Sequence, residues 1–157
     1  MQRDKRGYIL ETVIRIADVE DAKGIEKIEK ECFSAPWSAE NVIDSMNMGG
    51  IFLVAETEGE ISGYCGMMIS IDEGYITNVA VGTDFRRRKI GEKLITALIE
   101  ESKKRNLAFI TLEVRQSNIA AQNLYKKFGF EYVGKRPRFY SKPVEDALLL
   151  TVHFNER

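Results

Sequence analysis

Four consecutive cations and a glycine, in Arg86-Arg87-Arg88-Lys89-Ile90-Gly91, stand where a strand pattern ends and a helical one begins. A basic run of this length is most often a solvated surface stretch. Its position argues for more. Cations at a helix N-terminus oppose the helix dipole and leave the free backbone N–H groups without acceptors. A bound anion removes both penalties, and four basic side chains suit more than one phosphate. Polyphosphate binding is the chemistry expected here.

Two further residues could move protons. Glu113, in Leu112-Glu113-Val114-Arg115-Gln116-Ser117-Asn118, falls on the non-core side of a strand that runs into a helix. It suits a general base, but a carboxylate facing solvent or paired with an arginine is the more ordinary reading. Tyr125 lies on the inner stripe of the next helix, where the simplest role is a core aromatic. The one histidine, His153, sits in a closing apolar stretch and reads as an edge-strand residue reaching solvent. Without a nucleophile motif to partner it, covalent hydrolysis is set aside. Cys32 and Cys65 lie far apart without Cys-x-x-Cys spacing, which excludes a disulfide framework and a zinc site built on Cys and His. No metal is expected.

The elements that must hold these residues follow from periodicity. A short strand over 11–16 precedes Asp18, an N-cap for a helix with inner stripe Ala22, Ile25, Ile28 and Cys32. Phe33-Ser34-Ala35-Pro36-Trp37 breaks it, and Ser38 opens a second helix to about Met48. Strands over 51–57 and 61–70, joined by Glu58-Gly59-Glu60, and a third over 75–81 form an antiparallel meander. Ile90, Leu94, Ala97 and Leu98 then mark a helix ending in Lys103-Lys104-Arg105. Ala108 to Val114 alternates as a strand. Ser117 or Asn118 caps a last helix carrying Ala121, Leu124, Tyr125 and Phe128, which Gly129 stops. Closing strands run from Phe130 to about Arg136 and from Ala147 to Phe154. The expected class is α+β: a mixed, largely antiparallel sheet with helices on both faces.

The 157 residues fit one domain over 11–157, with residues 1–10 as an N-terminal extension. The chain is 44% hydrophobic and 30% charged, with a net charge of −1. That balance argues against disorder and against a surface that grips nucleic acid or anionic lipid. No apolar run approaches the roughly 18 residues of a membrane helix. Tyr8-Ile9-Leu10 is too short for a signal-peptide core, so a cytoplasmic protein is expected.

In this order the residues resemble the GNAT N-acetyltransferase superfamily, from about Val13 to Phe154. Its phosphate-loop pattern, Gln/Arg-x-x-Gly-x-Gly/Ala, is matched by Arg86 and Gly91, with Lys89 in place of the first glycine. That departure is expected to re-aim one cradle amide and offer a lysine to phosphate instead. Within the superfamily the likeness is to RimI-type ribosomal-protein-alanine N-acetyltransferases. It rests on Thr77-Asn78-Val79-Ala80-Val81, Leu112 to Arg115, Asn118-x-Ala120-Ala121, Leu124-Tyr125, Gly129-Phe130, Phe139-Tyr140 and Glu145-Asp146-Ala147.

The resemblance implies acetyl-CoA as donor and the N-terminal amine of a protein as acceptor, best an N-terminal alanine of a ribosomal protein. It makes Glu113 the proton acceptor and Tyr125 the proton donor. It assigns acetyl-CoA to Val79, Ala80, Val81, Arg86, Arg87, Arg88, Lys89, Ile90, Gly91, Glu92 and Asn118, with the strand expected to splay after Val81. It places Trp37, in an acceptor-side turn, and Tyr140 against the acceptor. Transfer is expected to be direct, without an acyl-enzyme. A GNAT acting on lysine or a small-molecule amine, or a non-catalytic acyl-CoA-binding regulator, are the alternatives. A mere binder would need the basic loop but neither proton-transfer residue.

Overall fold

The structure, a computed structural model, describes residues 6–7 and 11–154. Most of the expected extension over 1–10 therefore lies outside the described residues. Seven strands form one sheet: β1 (Thr12–Ile16), β2 (Ile51–Thr57), β3 (Glu60–Ser70), β4 (Glu73–Val81), β5 (Phe109–Arg115), β6 (Glu131–Tyr140) and β7 (Glu145–His153). Four helices accompany them among the described residues: α1 (Ala22–Cys32), α2 (Ala39–Asn47), α3 (Ile90–Lys104) and α4 (Ile119–Lys127). The sheet order is β1-β2-β3-β4-β5-β7-β6, and only β4 and β5 pair in parallel among these strands. The α+β class holds as expected. β7 lies inside the sheet, so His153 ends an interior strand rather than an edge one.

Central strands buried on both faces cannot alternate cleanly. β2 shows this: Ile51, Leu53 and Ala55 join the core under α3, while Phe52 and Val54 join a second core under α1 and α2. Leu94, Ile95 and Leu98 of α3 are fully buried. Each such side chain stabilises the fold by about 1.5–3 kcal/mol relative to exposure. The β2–β3 connection closes over two residues, Glu58 and Gly59, both at positive φ (50° and 82°), which matches the twist of a hairpin.

Two helix starts differ from expectation in detail. Asp18 caps a 3-10 turn, Val19–Asp21, that leads into α1, because Asp21 answers it in a capping box. Of the two candidate caps for α4, Asn118 takes the role, its Oδ1 accepting from the Ala121 N–H at 3.1 Å. No helix among the described residues is long and apolar enough to cross a membrane.

Candidate active site

β4 and β5 stay paired for three residues only, Glu73 to Phe109, Gly74 to Ile110 and Tyr75 to Thr111. The splay thus begins after Tyr75, inside β4, and not after Val81. Its cause is an irregularity on the other side of β4. The register with β3 slips between Gly66 and Met67, leaving Thr77 as an extra residue, and a bulge bends the strand that carries it. From Ile76 onward one edge of β4 has no strand beside it.

That edge does not expose all three residues of Val79-Ala80-Val81 alike. The Val81 carbonyl turns away from β3, accepting from Arg86 Nε at 3.3 Å and Cys32 Sγ at 3.4 Å. Backbone groups alternate along a strand, so Val79 presents its N–H and C=O to the same open edge and Ala80 presents its own to β3. Ala80 is also buried by its side chain in the core under α1. Of the three, Val79 keeps a free backbone pair for a ligand.

The splay opens a cleft of about 550 Å³ whose walls include Cys32, Phe33, Asn78, Val79, Asn118 and Tyr140, with Glu113 and Tyr125 inside it. The Glu113 side chain is only 4% exposed, and its Oε2 meets Arg136 Nε of β6 at 2.8 Å. The Tyr75 hydroxyl donates to its other oxygen, Oε1. Burial pushes the Glu113 carboxyl above the ordinary carboxylate range, while the Arg136 charge pulls it back. Neither Arg136 nor Tyr75 was marked by the sequence, since Arg136 reaches Glu113 across a third strand.

Tyr125 is both a core aromatic and a cleft residue. Its ring stands edge-on to Phe130, with centroids 5.5 Å apart, and is 8% exposed. Its hydroxyl makes no hydrogen bond to any described residue, and burial pushes its pKa up. Tyr140 lies beneath the Arg115 guanidinium, 4.4 Å from its ring centroid. Arg115 also donates to the carbonyls of Ser141 and Pro143 and to Glu145, fastening the β6–β7 hairpin to β5. Trp37 is not on the cleft. Its ring packs beside Phe52 in the second core, and Phe33, earlier in the same turn, takes the cleft position instead.

Beside the cleft, with Ala121 in the wall of both, opens a mouth of about 660 Å³ lined by Val81, Arg86, Arg87, Lys89, Ile90, Gly91 and Glu92. α3 starts here without a side-chain cap. Lys89, its N-cap, is left-handed (φ 59°, ψ 25°), the conformation glycine adopts freely. The backbone keeps the turn a glycine would make and carries a cation on it. A Cβ at Gly91 would meet only Leu124, at an ordinary 3.7 Å. The chain's own packing does not demand glycine there, and the glycine's lack of a side chain keeps the floor of the mouth open. Uncapped amides, cations and an open floor fit a polyphosphate. Within the loop, Arg88 lies over the Phe85 ring at 5.5 Å and Arg86 donates to Val81 and Cys32, so Arg87 and Lys89 are the cations left facing the mouth. Glu92 is paired with Lys127 at 2.5 Å.

A buried polar cluster lies behind the turn that carries Trp37. Glu29 of α1 is 1% exposed and accepts from the Tyr64 hydroxyl, from Asn78 Nδ2 at 3.1 Å and from the Trp37 N–H at 2.8 Å. Burial and this carboxylate both push the Tyr64 phenol up. The sequence held a signal for Glu29: it falls four residues after Ile25, on the inner face of the helix. Among the described residues no group of three or more His, Cys, Asp or Glu side chains is placed to hold a metal.

Residues 22–130 match the model of the Acetyltransferase (GNAT) family. A Bacillus subtilis protein with the provisional name of ribosomal protein bS18-alanine N-acetyltransferase is 37% identical over 145 residues, covering 91% of this chain and 96% of that one. A Salmonella typhimurium ribosomal protein bS18-alanine N-acetyltransferase is 29% identical over 88% of this chain and 95% of its own. The crystal structure of the Escherichia coli ribosomal-protein-S18-alanine N-acetyltransferase superposes with a TM-score of 0.88 at 27% identity, covering 94% of this chain and 96% of the other.

Proposed function

The chain belongs to the GNAT acetyltransferase family, and from that premise we propose that it carries acetyl from acetyl-CoA to the N-terminal α-amine of a protein, with an alanine-start ribosomal protein bS18 as acceptor. One observation carries this reading. A cation-lined, uncapped helix start and a buried carboxylate lie in adjoining pockets that share Ala121 as a wall. The names of the relatives support the acceptor.

Acetyl-CoA, when bound, supplies a thioester carbon open to attack and a thiolate able to leave. Arg87, Lys89 and the α3 amides would hold its phosphates, and Val79 would pair with its amide-bearing arm. A free backbone N–H at the splay polarises a carbonyl as an oxyanion hole does. Glu113 takes the proton that the amine must lose. An α-amine titrates near 7.7–8.0 and a lysine near 10.4, so a lysine would cost about 3.5 kcal/mol more to prepare at neutral pH. As the nitrogen–carbon bond forms the nitrogen sheds its second proton, and as the carbon–sulfur bond breaks the sulfur takes one up, so that thiol leaves and one proton stays with the base. Even an unperturbed tyrosine is about 2 kcal/mol too weak an acid to give one outright. Burial weakens Tyr125 further, so its hydroxyl stabilises the departing sulfur by a hydrogen bond that strengthens as charge develops.

The test is a peptide panel with Ala, Ser, Met and acetyl-blocked N-termini, each with an internal lysine, incubated with acetyl-CoA and read by mass spectrometry. Acetyl on the α-nitrogen of the alanine-start peptide is expected. Acetyl on the lysine of the blocked peptide would favour a lysine acetyltransferase. No transfer at all, with acetyl-CoA bound, would leave a non-catalytic binder.

A further inference from the structure

The pairing of Glu113 with Arg136 is lopsided. The carboxylate is 4% exposed, whereas the Arg136 side chain is 56% exposed. The arginine arrives from two strands away. Arg136 stands opposite Ala147 of β7, which in turn stands opposite Arg115 of β5, and Glu113 lies two residues before Arg115. Ala147 is fully buried, and its small side chain lets the arginine cross β7 to the cleft. A buried carboxylate cannot be left without a cation except at high cost. An ion pair whose other half lies in solvent, by contrast, is cheap to open. Glu113 therefore demands a cation, and the one it has is easily exchanged.

The groups around Glu113 leave no second local cation for that role. Tyr75 of β4 already donates to Oε1. Tyr140 of β6 and Tyr125 of α4 face the cleft as neutral phenols, each pushed up by burial. Cys32 of α1 lines the far wall. Leu149 of β7, opposite Glu113 in the register, carries no charge. Arg115 is committed to Glu145 and to the carbonyls of the β6–β7 hairpin, and the second Glu145 oxygen accepts from the Ser117 N–H.

We propose that Arg136 is a removable stand-in for the acceptor's ammonium: it holds Glu113 in the free enzyme and yields that place when the N-terminus enters. The proposal rests on Glu113 acting as base. Arg136 is thus a positioning residue that works through Glu113. Once displaced, its guanidinium has the Phe139 ring at the cleft rim, already 5.9 Å away, to lie against. The ligand class is an acceptor presenting a primary ammonium, and a neutral N-terminus would have no means of displacing the arginine.

The experiment compares wild type, Arg136→Gln and Arg136→Lys with an alanine-start peptide at saturating acetyl-CoA from pH 5.5 to 9, with melting recorded for each. Without the guanidinium, burial acts on Glu113 with no cation opposing it, and only the Tyr75 hydroxyl still donates to the carboxylate. The acid limb of kcat/KM should then move up by about one pH unit. At pH 8, on the alkaline side of the acid limb, removing the competitor should lower the peptide KM by about 2- to 5-fold. Arg136→Lys should restore both. A KM that rises at pH 8 would mean that Arg136 binds the acceptor directly and would overturn the proposal. An unmoved limb and KM would overturn it too. Glu113→Gln separates the two readings: if it abolishes the acid limb while Arg136→Gln changes nothing, only the stand-in fails. If Glu113→Gln keeps the wild-type limb, the base assignment fails as well.

Discussion

Asn78 Nδ2 on β4 donates to the Glu29 carboxylate on α1 at 3.1 Å, and the other oxygen of that carboxylate accepts from the Trp37 N–H at 2.8 Å. One buried side chain therefore ties the splayed strand to the turn on the acceptor side. Glu29→Ala would leave the Tyr64 hydroxyl, Asn78 and the Trp37 N–H short of an acceptor in the interior. A loss of about 3 kcal/mol or more is expected in chemical denaturation. Tyr64→Phe, which removes one donor, should cost only about 1–2 kcal/mol. Equal losses for the two variants would contradict the assignment of Glu29 as the hub.

The phosphate loop should separate stability from binding at one position. Lys89 holds a left-handed backbone at φ 59°, which costs a side-chain-bearing residue about 1 kcal/mol. Lys89→Gly should melt at the wild-type temperature or slightly above, and bind CoA several-fold more weakly in low salt. The binding gap should close as salt rises. Arg87→Ala should weaken CoA binding in the same way, whereas Arg88→Ala, whose guanidinium lies over Phe85, should not. Calorimetric titration at two salt concentrations reads all three.

Tyr125→Phe keeps the ring that packs on Phe130 and removes the hydroxyl that bonds no described residue. Melting temperature and CoA-analogue affinity should hold, and kcat should fall by about 10- to 10³-fold. Intact folding with intact turnover would remove Tyr125 from the mechanism and leave water to stabilise the departing sulfur.

The shift at Glu113 also sets a stability expectation. Its folded pKa is raised by burial, so the folded state holds the proton more tightly than the unfolded chain does. Stability from this group is present below the ordinary carboxylate pKa and is lost as pH rises through the raised value. Glu113→Gln, which cannot ionise, should therefore melt higher than wild type at pH 7–8, with the gap closing toward pH 4. A gap that widened in acid would reverse the sign of the shift.

How far the sequence carried these conclusions depended on the range of the interaction involved. The strands and helices were legible because apolar period is local: Ile90, Leu94 and Leu98 line α3 as their spacing says. The phosphate loop was legible because a charge run at a helix start is a local conflict. The splay was misplaced because the bulge at Thr77 is a mismatch between β4 and β3, which neither strand shows alone. Trp37 was placed against the acceptor by resemblance, yet the turn puts Phe33 at the cleft and Trp37 in the core. Arg136 and Tyr75 meet Glu113 only through the order β4-β5-β7-β6, a product of the whole fold. The ordinary reading of Glu113 as an arginine-paired carboxylate turned out to describe one of its two oxygens.

The most direct test of the chemistry is the pH profile of kcat/KM for Glu113→Gln beside wild type, with an alanine-start peptide as acceptor. If Glu113 takes the amine's proton, the variant falls by roughly 10²-fold or more near pH 7. Part of that loss returns toward pH 9, where more of the α-amine is already neutral. Profiles that coincide across the range would contradict the role and leave Glu113 a buried, paired carboxylate with no part in catalysis.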